Sequence, residues 1–320
     1  MRTPHVSICI PAYQQVDYLR ETLRSVQTQN YEDYELIISD DTQDDSVQQL
    51  VATFDFNDRL RYYRNPVALG SPENWNAAVA YAKGTYIKIL HHDDRLAHPS
   101  ALSAFVKLLD EHPEADFAFG SSMVENVVNG KKRVHRPTKA QIKEILLNPN
   151  QLFFGNIIGA PSATIYRNGL SINYDGRMKW LVDIDFYFRI LQKNKYFAYS
   201  PEVLITTPTN ATHQVTELCK NNALVEINEH LFLYQKMDKN LQNILDTKYV
   251  WFRLFERYRV FSLKDFDDLG VDIGQFRVIL SSLLIAYQDV WFKRLPYRVY
   301  TRLPESYKQV IRCIRQNLKK

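Results

Sequence analysis

Short runs rich in β-branched and aromatic residues alternate with helical patterns along the first 120 residues, and three of these runs stop at a proline or at paired acids. Residues 5–11 (HVSICIP) form the first run, after which Leu19, Leu23 and Val26 repeat at helical spacing. Residues 34–39 (YELIIS) form the second, ending at Asp40-Asp41 ahead of a predicted helix over 46–54, and residues 60–63 form a third. Ser71-Pro72 has the form of a helix start, with Ser as N-cap and Pro in the first turn. That helix is expected to reach about Lys83 and stop at Gly84. Residues 85–90 (TYIKIL) lead into His91-His92-Asp93-Asp94, and after a helix over 99–111, residues 116–120 make a fifth strand. The alternation predicts βαβ units and an α/β fold with a Rossmann-like, mostly parallel, doubly wound sheet. Ligands in such sheets bind beyond the carboxyl ends of the strands. Pro11–Tyr13, Asp40-Asp41 and Asp93-Asp94 all fall there.

Further along, residues 130–149 are polar and basic and read as a loop or insertion. Residues 162–166 and 203–206 read as strands, and 181–191 (LVDIDFYFRIL) as an apolar helix with two acids near its start. From residue 216 the pattern is helical. The expected division is therefore a sheet domain over 1–215 and a helical C-terminal region over 216–320.

Charge separates the chain differently. The net charge is +4, yet residues 291–320 hold nine Lys/Arg against the single acid Glu305, which leaves residues 1–290 at −4. An acidic body argues against nucleic acid as a partner. In the basic tail, Tyr307, Val310, Ile311, Ile314 and Leu318 form an apolar stripe beside Lys308, Arg312, Arg315 and Lys319. Such a helix either lies on an anionic membrane surface or packs its stripe on protein, this chain's own or that of a second copy in a homo-oligomer. The first apolar run stops at Pro11, unlike a secretory signal, and residues 278–288 are about half the length that spans a bilayer. Cys9, Cys219 and Cys313 form no metal-binding spacing and suit a reducing compartment. The expectation is a cytoplasmic protein, peripheral on the inner face of the plasma membrane.

Each candidate site has two readings at the level of the residues. Asp93-Asp94 suits a hard divalent cation whose coordination a diphosphate would complete, or a solvated turn. Asp40-Asp41 can accept hydrogen bonds from a nucleobase or ribose, or cap the next helix. No G-x-G-x-x-G follows the first strand and no phosphate-loop motif occurs, which argues against an ordinary dinucleotide fold. Asp183 and Asp185 lie about 200° apart on a helix, so only one can face a given site. Either also suits a helix N-terminus.

Taken together, SICIPAY, ELIISDDTQDDS, NPVALGSPENWNAAVAYAKGTYIKILHHDD and LVDIDFYFRI, in that order, resemble family 2 of the inverting glycosyltransferases, with the GT-A fold. Asn74-Trp75-Asn76, followed by Ala82-Lys83-Gly84-Thr85-Tyr86, looks especially like that family. The resemblance covers residues 4–215. It implies that Pro11, Ala12 and Tyr13 line a nucleotide pocket, that Asp41 contacts the base (uracil expected), and that Asp93 touches the ribose or donor sugar. It implies Asp94 as the ligand of Mg²⁺ or Mn²⁺ and Asp183 as the catalytic base. Gly159-Ala160-Pro161-Ser162 takes the place of the segment beneath the donor and acceptor sugars, and Trp180, three residues before Asp183, would face the acceptor.

The chain departs from the family at three points. His91 stands where relatives often have Asp, Val182 precedes the base where Glu is usual, and a Tyr-Arg-x-His segment is missing, with His213 near its place. His213 would serve the diphosphate or metal, or be an ordinary loop histidine. The implied activity is transfer of a sugar from a nucleotide sugar, UDP-linked, to a glycan or lipid-linked acceptor in surface polysaccharide biosynthesis. The competing reading is a catalytically inactive sugar-nucleotide-binding or scaffold subunit on the same fold.

Overall fold

Strands β1 (Val6–Ala12) and β2 (Tyr34–Asp40) are buried along their whole lengths. Continuous apolar runs of this kind need cover on both faces of a parallel sheet. The structure, a computed structural model, describes residues 3–242 and 245–292. Helix α1 (Val16–Gln27) turns Leu19, Leu23 and Val26 into the core, as their spacing predicts, and α2 (Ser46–Val51) adds Val47, Leu50 and Val51. Strand β3 (Leu60–Arg64) pairs in parallel with β2. Helix α3 (Glu73–Ala80) then returns the chain to β4 (Tyr86–Ile89), which pairs in parallel with β1 on the side away from β2. The strand order therefore reverses between β1 and β4, and that is the position where doubly wound sheets hold ligands.

Two residues make this junction possible. Cys9 O accepts from Leu90 N, so the backbone of Pro11, two residues on, also faces β4; but pairing with β4 ends at Cys9. Proline's missing N–H thus falls where no ladder partner exists. Gly84, expected to cap a helix, instead permits close packing, because a Cβ there would lie 2.5 Å from Ser7 N.

The sheet continues through β5 (Arg95–Leu96), β6 (Phe117–Asn126), β7 (Lys132–His135), β8 (Thr164–Arg167) and β9 (Phe197–Thr209). The spatial order is β3-β2-β1-β4-β8-β6-β9-β5, with β7 beside β6. Strands β8, β5 and β7 run against the rest. Helix α4 (Ala101–Asp110) packs Leu102, Phe105, Val106 and Leu109 into the core.

Several boundaries differ from the sequence reading. Residues 130–149, expected as a loop, contain β7 and α5 (Lys139–Leu147). Strand β7 is an exposed or half-buried edge and α5 buries only Ile145, so neither has an apolar period; a Thr138/Gln141 capping box starts α5. Helix α3 begins at Glu73 after a cis Ser71–Pro72 bond, with no side-chain cap from Ser71, and ends at Ala80. Strands β6 and β9 run past the predicted ends, pairing with each other through Asn126 and Thr209.

Helix α6 (Val182–Lys193) follows β8, and α7 (Val215–Cys219) and α8 (Ala223–Lys236) follow β9. The compact unit carrying the sheet is Met1–Leu241, so α7 and α8 belong with the sheet and not, as expected, with the C-terminal region from 216. The second unit, Gln242–Lys320, holds helices Leu245–Tyr258, Lys264–Asp268 and Arg277–Phe292, with Phe255, Phe266 and Tyr287 in ring contact. Among the described residues no helix is long and apolar enough to cross a membrane. The basic stripe within residues 291–320, and Cys313, lie outside the described residues.

Candidate active site

The segment after β4 carries His91, His92, Asp93 and Asp94, and hydroxyl groups from other elements hold its backbone. Thr22 Oγ1 of α1 lies 2.8 Å from His92 O and 2.7 Å from Asp94 O. Ser162 Oγ accepts from His91 N at 2.9 Å, and both Ser162 and Thr207 hydrogen-bond to the Asp94 carboxyl. His92 Nδ1 donates to Pro11 O at 3.2 Å, tying the loop to β1. Beneath it, the fully buried Lys88 donates to Ile89 O and Ser162 O and lies 4.5 Å from the Phe105 ring centre.

The two acids of this loop are opposite in character. Asp93 Oδ2 accepts from His213 Nε2 and Gln214 Nε2, each at 3.3 Å. Burial works against its charge, but the His213 hydrogen bond and the neighbouring imidazoles of His92 and His91 hold Asp93 well below the usual carboxylate range. Asp94 is pushed up to about 7 by burial and by the charge of Asp93. Burial lowers His91 to about 4, so its imidazole is neutral at neutral pH, and its Nε2 is buried without a hydrogen-bond partner among the described residues. Ligand atoms of His91, Asp93 and Asp94 all lie within 4.8 Å of one another. Two carboxylates, one with its proton affinity raised by burial beside a like charge, and an orphaned neutral nitrogen make a donor set that fits a divalent cation. His91 offers a lone pair without a third negative charge.

Asp41, at the end of β2, is buried and already well partnered. Its Oδ1 accepts from Asn65 Nδ2 at 2.8 Å and Leu69 N at 3.0 Å, and its Oδ2 accepts from Gly70 N at 2.8 Å. Asn65 also donates to Asn74 Oδ1, and Asn74 Nδ2 donates to Ala12 O. The acid expected to contact a base therefore also shapes the loop over 65–70 that walls the pocket. Gly70, with φ +75°, takes the left-handed turn there.

On the other side, α6 brings Asp183 to the cavity. Its Oδ2 accepts from Asn156 Nδ2 at 2.6 Å and its Oδ1 from Ile184 N at 2.8 Å. Burial and then the charge of Glu229 raise Asp183 to about 7, against the hydrogen bonds from Ile184 and Asn156. Asp185 points away, as the helical angle requires, into a buried ion-pair cluster with Arg189 at 2.7 Å and Lys236. Asn156 also binds the backbone of Gly159 through both its amide atoms, so one side chain joins Asp183 to the segment containing Pro161.

These pieces enclose a cavity of about 680 Å³. Pro11, Ala12, Tyr13, Asp41, Asp93, Asp94, Pro161, Trp180, Asp183 and His213 all line it, so the structure gathers residues drawn from six separate segments. Ser162 does not line the cavity; it lies behind, holding His91 and Asp94. His213 reaches Asp93 and packs 4.8 Å from the Tyr18 ring. Thr22, Asn65, Asn156 and Gln214 were not singled out in the sequence. Thr22 alone left a trace there, as a polar residue on the apolar stripe of α1. The other three carry no local signal.

Comparison with known proteins places this geometry. The family model described as "Glycosyl transferase family 2" matches residues 7–175, just over half of the chain. An uncharacterised glycosyltransferase of Rickettsia typhi is 27% identical over 247 residues, covering 75% of this chain and 73% of its own. Staphylococcus aureus TarS (residues 1–349), solved with UDP-GlcNAc, superimposes with TM-score 0.59 at 17% identity, over 92% of this chain and 83% of that one. The mannosyltransferase PcManGT of Pyrobaculum calidifontis, solved with GDP-Man and Mn²⁺, gives TM-score 0.55 at 14% identity, over 92% and 89%. The curled α/β sheet is thus the GT-A fold.

Proposed function

The chain belongs to glycosyltransferase family 2, and from that premise we propose that it is a metal-dependent, inverting enzyme of hexosyl type. It takes a nucleotide sugar, UDP-linked, as donor and a hydroxyl of a glycan or lipid-linked molecule as acceptor, in surface polysaccharide biosynthesis. The observation that carries this reading is that Asp183 opens into the same cavity as the Asp93–Asp94 pair. A base and an acid pair on one cavity suit attack at an anomeric carbon with a diphosphate leaving. The nucleotide sugars held by the staphylococcal and archaeal neighbours support a donor of this class.

Each residue then has a role. Asp94, with His91 and Asp93, would hold Mg²⁺ or Mn²⁺, which when bound supplies Lewis-acid neutralisation of the diphosphate charge. Pro11, Ala12, Tyr13 and Asp41 line the nucleoside side. Asp183 accepts the proton of the acceptor hydroxyl as its oxygen attacks from the face opposite the nucleotide. An α-linked donor then yields a β-linked product, without a covalent intermediate. Trp180 offers an apolar face to the acceptor, and His213 orients Asp93. The nine basic residues of 291–320 suit a site at an anionic membrane surface, where lipid-linked acceptors are found.

The test is a panel of UDP-GlcNAc, UDP-glucose and GDP-mannose, read as thermal stabilisation with and without Mn²⁺, followed by nucleotide release. A ligand that binds only the folded state must raise its stability. A donor that stabilises the protein only with Mn²⁺, and is turned over by wild type but not by Asp183→Asn, supports the reading. Stabilisation without any turnover would favour a binding subunit instead.

A further inference from the structure

The approach to helix α6 leaves backbone N–H groups that the helix itself cannot satisfy. Three of them, consecutive in sequence, point at one side chain. Glu229 of α8 accepts from Lys179 N at 2.7 Å, from Trp180 N at 3.0 Å and from Leu181 N at 2.6 Å. Leu181, at the N-cap position, makes no side-chain cap of its own. The capping acid thus comes from 48 residues away. Glu229 is only 3% exposed. It lies beyond residue 175, where the family match ends.

We propose that Glu229 is a positioning residue for the reaction: it fixes the entry to α6, and so determines where Asp183 stands and what field it feels. The proposal rests on the reading of Asp183 as the base. The geometry is direct. Asp183 is two residues past the last N–H that Glu229 holds, and Trp180 is the middle one of the three. Moving Glu229 would therefore move the base and the acceptor-side aromatic together.

The field follows from the same placement. The titratable groups facing Asp183 are Glu229 from α8, Tyr187 one turn along α6 and Tyr174 from the preceding loop. Asp93 and Asp94 share the cavity, and Lys179 faces Glu229. Of these, the charge of Glu229 acts to raise Asp183. Burial raises Glu229, and the N–H bonds from Leu181, Lys179 and Trp180 and the charge of Lys179 act against that rise and favour its charged form.

The experiment is a ¹³C-carboxyl NMR titration of aspartate-labelled full-length protein, with Asp183→Asn assigning the Asp183 resonance. Wild type should titrate near 7. In Glu229→Gln the midpoint should fall by about one pH unit, the order of magnitude for the loss of one nearby like charge. In Glu229→Asp, which keeps the charge, it should stay near wild type. An unmoved midpoint in Glu229→Gln overturns the proposal. A second measurement needs no variant: amide hydrogens of Lys179, Trp180 and Leu181 should be protected from exchange, and free exchange also overturns it.

Kinetics separate the proposal from the reading beneath it. Nucleotide release by Glu229→Gln should show a lower kcat with donor KM unchanged, and its deficit should shrink as pH falls. If Asp183→Asn keeps full turnover, the base reading fails whatever the titration shows. If Asp183→Asn is inactive but Glu229→Gln leaves the Asp183 midpoint in place, only the role of Glu229 fails.

Discussion

Replacing Asp183 by Asn should slow turnover by orders of magnitude and yet stabilise the protein at alkaline pH. The carboxyl is raised from 3.8 to about 7, first by burial and then by Glu229. A group whose folded value lies above its unfolded value binds its proton more tightly in the native state. That stabilisation is complete below the unfolded value and is lost as pH rises through about 7. The full span from 3.8 to about 7 corresponds to at most about 4 kcal/mol lost by pH 8. Asn carries no ionisable proton and escapes the loss. Thermal unfolding of the two proteins should therefore diverge between pH 4 and pH 8, with the variant the more stable at pH 8. In the same span wild-type nucleotide release should rise with pH. About a tenth of Asp183 is ionised one unit below its midpoint, so the rate at pH 6 should be about tenfold below its plateau. Saturating Mn²⁺ throughout keeps Asp94 ionised and out of the profile. At the plateau the variant should be slower by about 10²–10⁴-fold. A flat wild-type profile down to pH 5.5, or a stability difference that does not change with pH, would refute the reasoning.

Three further outcomes are expected. Asp94→Ala should abolish the Mn²⁺-dependent part of UDP binding in calorimetry while leaving the metal-free part; equal Mn²⁺ dependence in both proteins would remove Asp94 from the metal site. Asp41→Ala frees Leu69 N, Gly70 N and Asn65 Nδ2 together, so donor KM should rise about tenfold or more with a smaller change in kcat, measured by nucleotide release. Full-length protein should co-sediment with anionic vesicles more than a 1–290 truncation does, since each basic residue near such a surface contributes about 1 kcal/mol; equal binding would end the membrane reading.

The structure shows why parts of the site were legible and others were not. Pro11–Tyr13, Asp41 and Asp93-Asp94 sit at or just past the carboxyl ends of apolar strands, and a parallel sheet converts that one-dimensional position into a shared edge. Helical spacing showed only that Asp183 and Asp185 cannot face one site; the family resemblance pointed to Asp183, and the helix turns Asp185 toward Arg189 and Lys236. The loop expected over 130–149 hid a strand and a helix because an exposed edge and a lightly buried helix need no apolar period.

What the sequence determined by itself was the buried strands β1, β2 and β4 and the chemical types gathered at their carboxyl ends, because hydrophobic period is a local property of the chain. Only the tertiary structure decided the state of those groups. Asp93 and Asp94 are neighbours with the same side chain, yet His213 and Gln214, 120 and 121 residues away from Asp93, favour the charge of one, while burial and the charge of Asp93 raise the other to about 7 against the hydrogen bonds from Ser162 and Thr207. Glu229 reaches the N-terminus of α6 from a helix assigned by sequence to another region. Proton affinity depends on desolvation and on partners brought in through space, and neither is written in the spacing of residues along the chain.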